Sequence, residues 1–188
     1  GYAEAQYCLG YSYQEGLGIS HDSTEAVKWY RKAAEQGFVE AQFELAVCYA
    51  NGDGVPKDDA ESIRWYYKAA EQGHAIAQNN LGVHFHDGKG VNRNYAEALK
   101  WYYKAAEQGV ENSLYGIGLC FENGQGVPRN LIEAVKWYRK AAEQGYAMAQ
   151  HNLGFCYFNG KGVEQQYTEA VKWFRKAAEQ GNELAKKN

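Results

Sequence analysis

The sequence predicts an all-α solenoid of five 36-residue helix-turn-helix repeats followed by the start of a sixth. Three observations carry this prediction. Glycines recur at Gly1, Gly37, Gly73, Gly109, Gly145 and Gly181, always 36 residues apart and without an insertion. The segment WYRKAAEQG stands at Trp29 and Trp137, with single-residue variants at Trp65, Trp101 and Trp173. Each repeat holds two stretches whose apolar residues return at helical spacing. A fixed period of this length is the signature of stacked helical pairs, because one pair cannot bury its own apolar face. The repeats run 1–36, 37–72, 73–108, 109–144 and 145–180, GNELAKKN at 181–188 opens a truncated sixth, and together they read as a single domain, 1–188.

The first helix of repeat one covers about Ala3 to Gln14. Ala5, Leu9 and Tyr13 recur at i, i+4 and i+8 and form one apolar stripe. Gly10, Ala46, Gly82, Gly118 and Gly154 put a small residue at one place in every first helix, which permits close helix contact. The stop follows at Gly16 and its equivalents, suited to a left-handed helix end, with a second glycine two residues on. The Val or Ile after that glycine is placed to plug the space between helices. The second helix starts near Asp22. Asp22 with Glu25, Asp58 with Glu61, Asn94 with Glu97 and Asn130 with Glu133 are spaced as variant capping boxes, and Gln166 departs from the pattern. AAEQG ends the helix, and the residue after the glycine (Tyr2, Phe38, Val110, Tyr146, with His74 as the exception) fits the hydrophobic contact of a Schellman motif. Glu25, Lys28, Lys32 and Glu35 make one charged face. Trp29, Tyr30, Ala33 and Ala34 fill an apolar arc wide enough for burial on two sides.

Charge and composition narrow the function. The 188 residues carry 20 Lys and Arg against 23 Asp and Glu, a formal net charge of -3, which opposes nucleic-acid binding through phosphates. No apolar run reaches the roughly 18 residues of a membrane span, so no direct membrane insertion is expected. Cys8, Cys48, Cys120 and Cys156 occur at most once per repeat and read as free thiols, which leans towards the cytoplasm. The chain begins at Gly1 and ends within the pattern, so it reads as a piece of a longer protein, and export stays open.

The motifs AEAQYCLGYSY, NGDGVPKD and EAVKWYRKAAEQG at this period resemble the Sel-1-like repeat family, relatives of the tetratricopeptide repeats, over essentially the whole chain. The resemblance implies right-handed α-solenoids whose first helices line a concave face and which serve as adaptors or scaffolds in protein complexes. Repeat four departs most: Ser113 and Leu114 replace the Ala-Gln of the other repeats, which predicts a local change in packing. Cysteine-rich bacterial members carry a disulfide in each repeat, and this chain does not follow them.

Variation among the five copies points to the first helices. The variable positions lie opposite the Ala-Leu-Tyr stripe. They include six acids (Glu4, Glu15, Glu40, Glu44, Asp87, Glu122) and no Lys or Arg. The partner-binding residues expected there are Glu4, Tyr7, Tyr11, Glu40, Phe43, Glu44, Asn79, Asn80, Asn112, Tyr115, His151, Asn152 and Phe155. Aromatic rings supply anchors, amides can pair with an extended backbone, and the acids favour a protein or peptide partner with basic residues. The expected function is non-enzymatic protein binding. The alternative is a structural array with end-to-end self-association. No cofactor or metal is expected. The repeated GxGV follows a helix and lacks the Lys-Ser/Thr of a phosphate loop. The column Ser12, Cys48, His84, Cys120, Cys156 reads as small core side chains, because side chains on helices about 8–10 Å apart point in parallel and do not converge on zinc. His84 and His86 face different ways, and neither His86-Asp87 nor His21-Asp22 has a nucleophile at readable spacing. A groove without basic residues also disfavours RNA and acidic C-terminal tails.

Overall fold

A computed structural model describes residues 1–181, so the expected start of a sixth repeat lies, from residue 182 on, outside the described residues. Among the described residues there are ten helices and no strand. Repeat one holds α1 (Ala3–Glu15) and α2 (Ser23–Glu35), repeat two α3 (Val39–Asn51) and α4 (Asp59–Glu71), and repeat three α5 (Ala75–Asp87) and α6 (Tyr95–Glu107). Repeat four holds α7 (Glu111–Asn123) and α8 (Leu131–Glu143), and repeat five α9 (Ala147–Asn159) and α10 (Tyr167–Glu179). The fold class is an all-α solenoid of helical-hairpin repeats. Contacts divide the chain into two compact units, Gly1–Arg93 and Asn94–Asn188.

The helix ends follow the sequence with one change. Asp22, Asp58, Asn94 and Asn130 each accept hydrogen bonds from the second and third backbone N–H groups of their helix. Gln166 makes no such cap. The reciprocal half of the capping box is absent. Glu25 instead pairs with Lys28 at 2.5 Å, and the Asp22 N–H donates to the Tyr13 carbonyl at 3.0 Å. The same N–H to carbonyl link joins Asp58 to Tyr49, Asn130 to Phe121 and Gln166 to Tyr157. The N-cap residue therefore ties the second helix to the first as well as starting it. At the other end the Phe38 N–H reaches the Ala33 carbonyl at 3.1 Å and the Gly37 N–H reaches Ala34 at 3.0 Å, the double bond of a Schellman motif.

Helix packing inside each hairpin turns on the small residue of the first helix. A Cβ on Gly10 would lie 2.7 Å from the Tyr30 ring, on Gly118 2.5 Å from Tyr138, and on Gly154 2.7 Å from Phe174. The second-helix aromatic fills the space that the missing side chain leaves. Ala46 takes this place in repeat two, and there Ser62 Oγ donates to the Ala46 carbonyl at 2.8 Å. Ala41 and Leu45, Ala77 and Leu81, Ser113 and Ile117, Ala149 and Leu153 are all buried, as the apolar stripe predicts. Each such Leu or Ile contributes about 1.5–3 kcal/mol by leaving water. Ala5, in the first repeat, is exposed.

Two devices set one repeat on the next within each unit. The second loop glycine does more than turn the chain. A Cβ on Gly54 would stand 2.1 Å from the Ser23 carbonyl oxygen, and one on Gly162 2.3 Å from that of Leu131. This loop rests directly on the N-terminal turn of the preceding second helix. Amides form the other device. Gln42 Nε2 donates to the Ala34 carbonyl at 3.1 Å, and Gln72 Nε2 donates to Gln42 Oε1 at 2.8 Å. Gln150 and Gln180 repeat the arrangement at 3.1 and 2.8 Å. Leu114 cannot join this ladder, so the packing change expected in repeat four is the loss of one amide link.

Gly54 combines φ +69° with backbone atoms at its missing Cβ, whereas Gly73 has φ +92° and open space around it. We expect Gly54→Ala to cost about 3 kcal/mol or more and Gly73→Ala about 1 kcal/mol, read as shifts of the urea unfolding midpoint.

Candidate functional site

The first helices of the first unit bring acids and rings together. Glu4, Tyr11 and Glu40 are exposed on α1 and α3, and Tyr7, Phe43 and Glu44 are half-buried. The rings of Tyr7 and Phe43 are less free than the sequence implies. Tyr7 packs 5.2 Å from Phe38 and 5.9 Å from Tyr30, and Phe43 packs 4.4 Å from His74 and 5.9 Å from Tyr66, centroid to centroid. These rings wall the face rather than project from it, and Tyr11, 44% exposed, stacks on Tyr7 with ring centroids 6.4 Å apart. His74 also accepts the Ala77 N–H at 3.1 Å, and burial lowers its imidazole pKa. Asn79 is buried, because it points further towards the core than the helical wheel places it, while Asn80 is half-buried and its Oδ1 accepts from Asn79 Nδ2 at 3.3 Å.

Glu44 is the electrostatic centre of this face. Burial, and then the Glu15 charge, raise its carboxyl above the ordinary range. Among the described residues no Lys or Arg pairs with it. The basic residues of this unit sit on the second helices and in loops, and there they are engaged. Lys32 lies 3.8 Å from the Trp29 ring centroid and Lys68 3.8 Å from Trp65. A cation over a tryptophan face at i, i+3 is thus built into the second helix, a contact that the alternation of wet and stacked residues did not disclose.

In the second unit the same face carries amides, a hidden acid and rings. Asn112 and Phe155 are exposed, and Tyr115, His151 and Asn152 are half-buried. Tyr115 packs 5.3 Å from Tyr146 and 5.6 Å from Tyr138, and Asn152 Nδ2 donates to the Tyr115 hydroxyl at 3.3 Å. The buried Tyr138 hydroxyl donates to Glu122 Oε2 at 2.5 Å, and burial first, then Glu122, raise its pKa. His151 packs 5.7 Å from Phe174. The second-helix tyrosine at this repeat position was assigned to stacking alone. Its hydroxyl also reaches the variable face of the first helices.

Two concavities lie on the second-helix side. One, of about 510 Å³, is lined by Tyr103, Ala106, Leu114, Trp137, Lys140 and Gln144 among others, and so opens beside the Leu114 departure. The other, of about 450 Å³, lies among Val27, Lys28, Arg31, Lys32, Gly54 and Val55. Thr24, Glu25 and Glu35 also line the second, and Glu107 and Glu143 the first. The column Ser12 to Cys156 is a packing column. His84 is buried, with Nδ1 2.9 Å from the Lys89 carbonyl, and burial pushes the thiols of Cys48, Cys120 and Cys156 up to about 12, 11 and 12. Among the described residues no group of three His, Cys, Asp or Glu is placed to hold a metal, and no helix is long and apolar enough to cross a membrane. Asp87 takes hydrogen bonds from His86 at 2.9 Å and pairs with Lys89 at 3.3 Å; the His86 bond is the main cause that lowers its pKa.

Comparison with known proteins agrees with this geometry. The Sel1 repeat matches five consecutive segments, 3–38, 39–74, 75–110, 112–146 and 147–182. The crystal structure of a Sel1 repeat protein from Oxalobacter formigenes is 41% identical with a TM-score of 0.95, over 98% of this chain and 73% of that one. That of c5321, a protective antigen of uropathogenic Escherichia coli with an SLR fold, is 44% identical with a TM-score of 0.94, over 98% of this chain and 40% of that one. Chitin synthase regulatory factor 3 of Schizosaccharomyces pombe is 45% identical over 38 residues, 20% of this chain and 4% of its own length.

Two outcomes follow from the titrations. The folded protein holds the Glu44 proton more tightly than the unfolded chain, so ionisation of Glu44 costs stability as pH rises past the ordinary carboxylate value of about 4.3. Glu44→Gln is expected to unfold at higher urea than the parent at neutral pH, with the gain fading to nothing below that value. Cys8 is exposed and the other three thiols are buried. Titration with a disulfide reagent at mildly alkaline pH should modify Cys8 at once and Cys48, Cys120 and Cys156 only on unfolding.

Proposed function

The chain belongs to the Sel1 repeat family, and from that premise we propose that it is a non-enzymatic scaffold or adaptor that binds a basic peptide or protein segment along its first helices. Sel1-repeat proteins generally mediate protein–protein interactions and are non-catalytic. The chain spans 4% of the length of the curated relative it matches, so the activity of a whole protein is part of the proposal. One observation carries the choice of partner. Glu44 is a half-buried carboxylate with a raised pKa, beside Glu15, on a face whose sequence holds no Lys or Arg. A carboxylate kept partly from water without a counter-charge is a cost to the free protein, and an incoming cation removes it.

The half-buried rings of Tyr7 and Phe43 and the exposed Tyr11 support apolar contact around that charge, and in the second unit Tyr115 and Phe155 offer rings on its own first helices. Within each unit amides offer donors and acceptors for an extended backbone, Asn80 in the first and Asn112 and Asn152, with His151, in the second. Glu4 and Glu40, exposed, steer a basic segment into register rather than supply most of the affinity. Asn79, buried, supports the helix beneath.

A random peptide library tests the reading. Selected peptides should be enriched in Lys and Arg, and Glu40→Lys with Glu44→Lys should weaken them at least tenfold, about 1.4 kcal/mol, with an effect that shrinks as salt rises. Peptides without basic residues, or affinity that ignores the charge reversal, would overturn it.

A further inference from the structure

The second-helix tyrosines form a series whose hydroxyls are treated differently from repeat to repeat. The Tyr138 hydroxyl is satisfied: Glu122 of its own repeat accepts its proton at 2.5 Å, while Asn152 of the next repeat donates to Tyr115 at 3.3 Å. Tyr30, only 1% exposed, has no hydrogen-bond partner at its hydroxyl. Gln14 stands where repeat four has Glu122, and its Oε1 is likewise buried and unpartnered. Glu44 stands where repeat five has Asn152. Tyr30 and Gln14 thus occupy the two places that bond each other in repeat four, yet here both atoms are left open beside a carboxylate. A buried polar atom without a partner costs about 1–3 kcal/mol, so two together are a sign of a missing group.

Resting on the groove reading above, we propose that Tyr30 Oη, Gln14 Oε1 and the Glu44 carboxylate form a pocket for the side-chain ammonium of a lysine in the bound segment. All three can accept, and an ammonium carries three donors on one nitrogen. A guanidinium needs a planar double acceptor, which one carboxylate beside a hydroxyl and an amide oxygen does not supply. Burial first, then the Glu44 carboxylate and more weakly Glu15, raise the Tyr30 hydroxyl. Tyr7, 5.9 Å from Tyr30 and 5.2 Å from Phe38, gives the wall along which the lysine methylenes lie. Gln14 and Glu44 are long, half-buried side chains, and rotation about their own bonds opens the hydroxyl to the ligand.

The test is a nuclear magnetic resonance titration of the whole chain with Nα-acetyl-lysine N-methylamide. Saturable shifts are expected at the Gln14 side-chain amide, the Tyr30 ring and Glu44. The norleucine analogue should give none there. The trimethyl-lysine analogue keeps the charge but has no N–H, and it should bind about tenfold more weakly, as should the arginine analogue about threefold. Glu44→Gln should weaken binding about tenfold and Tyr30→Phe severalfold, whereas Glu111→Gln, which removes an exposed acid from α7, should change nothing. Equal shifts from norleucine, equal affinity for trimethyl-lysine, or shifts away from Tyr30 and Gln14 would overturn the pocket. Should the pocket fail while library peptides still respond to the Glu40→Lys, Glu44→Lys reversal, the groove reading stands without it; indifference of both removes the groove as well.

Discussion

The contact between the second-helix aromatic and the missing side chain of the first helix is the constraint on which the rest depends. Tyr30 against Gly10, Tyr138 against Gly118 and Phe174 against Gly154 leave no room for even a Cβ. The helices of a hairpin can approach that closely only because one side supplies a ring and the other supplies nothing. The approach also decides where the far end of the ring goes. A tyrosine driven past a glycine carries its hydroxyl through to the variable face, where Glu122 meets Tyr138 and where Tyr30 lies beside Glu44 and Glu15. Packing and the polar pattern of the variable face are therefore joined in one side chain.

Stacking of repeats has its own logic, and it is largely backbone logic. The second loop glycine lets the chain sit on the first turn of the preceding second helix, and the glutamine ladder covers carbonyls at the end of that helix. Both devices address polar groups that helix termini leave open. Where Leu114 replaces glutamine the amide link is lost, and the concavity beside Tyr103 and Trp137 marks the place. The repeat tolerates this because the buried stripe of Leu114, Ile117 and Cys120 carries the contact by apolar burial instead.

Much of this was legible in the sequence, for a definite reason: a strict period lets one repeat report on the next. Helix bounds, N-caps, glycine stops, the burial of the Leu column and the departure at Gln166 could all be read from residue type at fixed position. What the sequence hid was direction and reach. Glu25 matches a capping box by spacing, but the Asp22 N–H had already found the Tyr13 carbonyl, so the glutamate was free to pair with Lys28. Lys32 lies on the charged face and is exposed, but its ammonium also covers Trp29, which spacing alone does not show. Asn79 falls on the variable arc of an ideal wheel, yet it is 7% exposed, because a wheel assigns angle and not the height of neighbouring helices. Tyr7 and Phe43 were placed on the right face, but their packing against Phe38 and His74 depends on the start of the following helix, which no single-helix pattern contains.

The groove chemistry then reduces to two variable neighbours around a fixed aromatic. One comes from the same repeat and one from the next: Gln14 and Glu44 around Tyr30, Glu122 and Asn152 around Tyr138. An acid on the near side closes the hydroxyl internally and leaves the far amide to reach Tyr115. An amide on the near side and an acid on the far side leave the hydroxyl open and the charge unbalanced. At Phe174 the hydroxyl itself is gone, and with Phe155 and Phe158 exposed nearby on α9 the face of that repeat becomes apolar. Substitution at two positions can therefore change the polar pattern of a repeat's face without touching the helix contact that holds it, which is why an array of near-identical repeats can still present a different surface at each step.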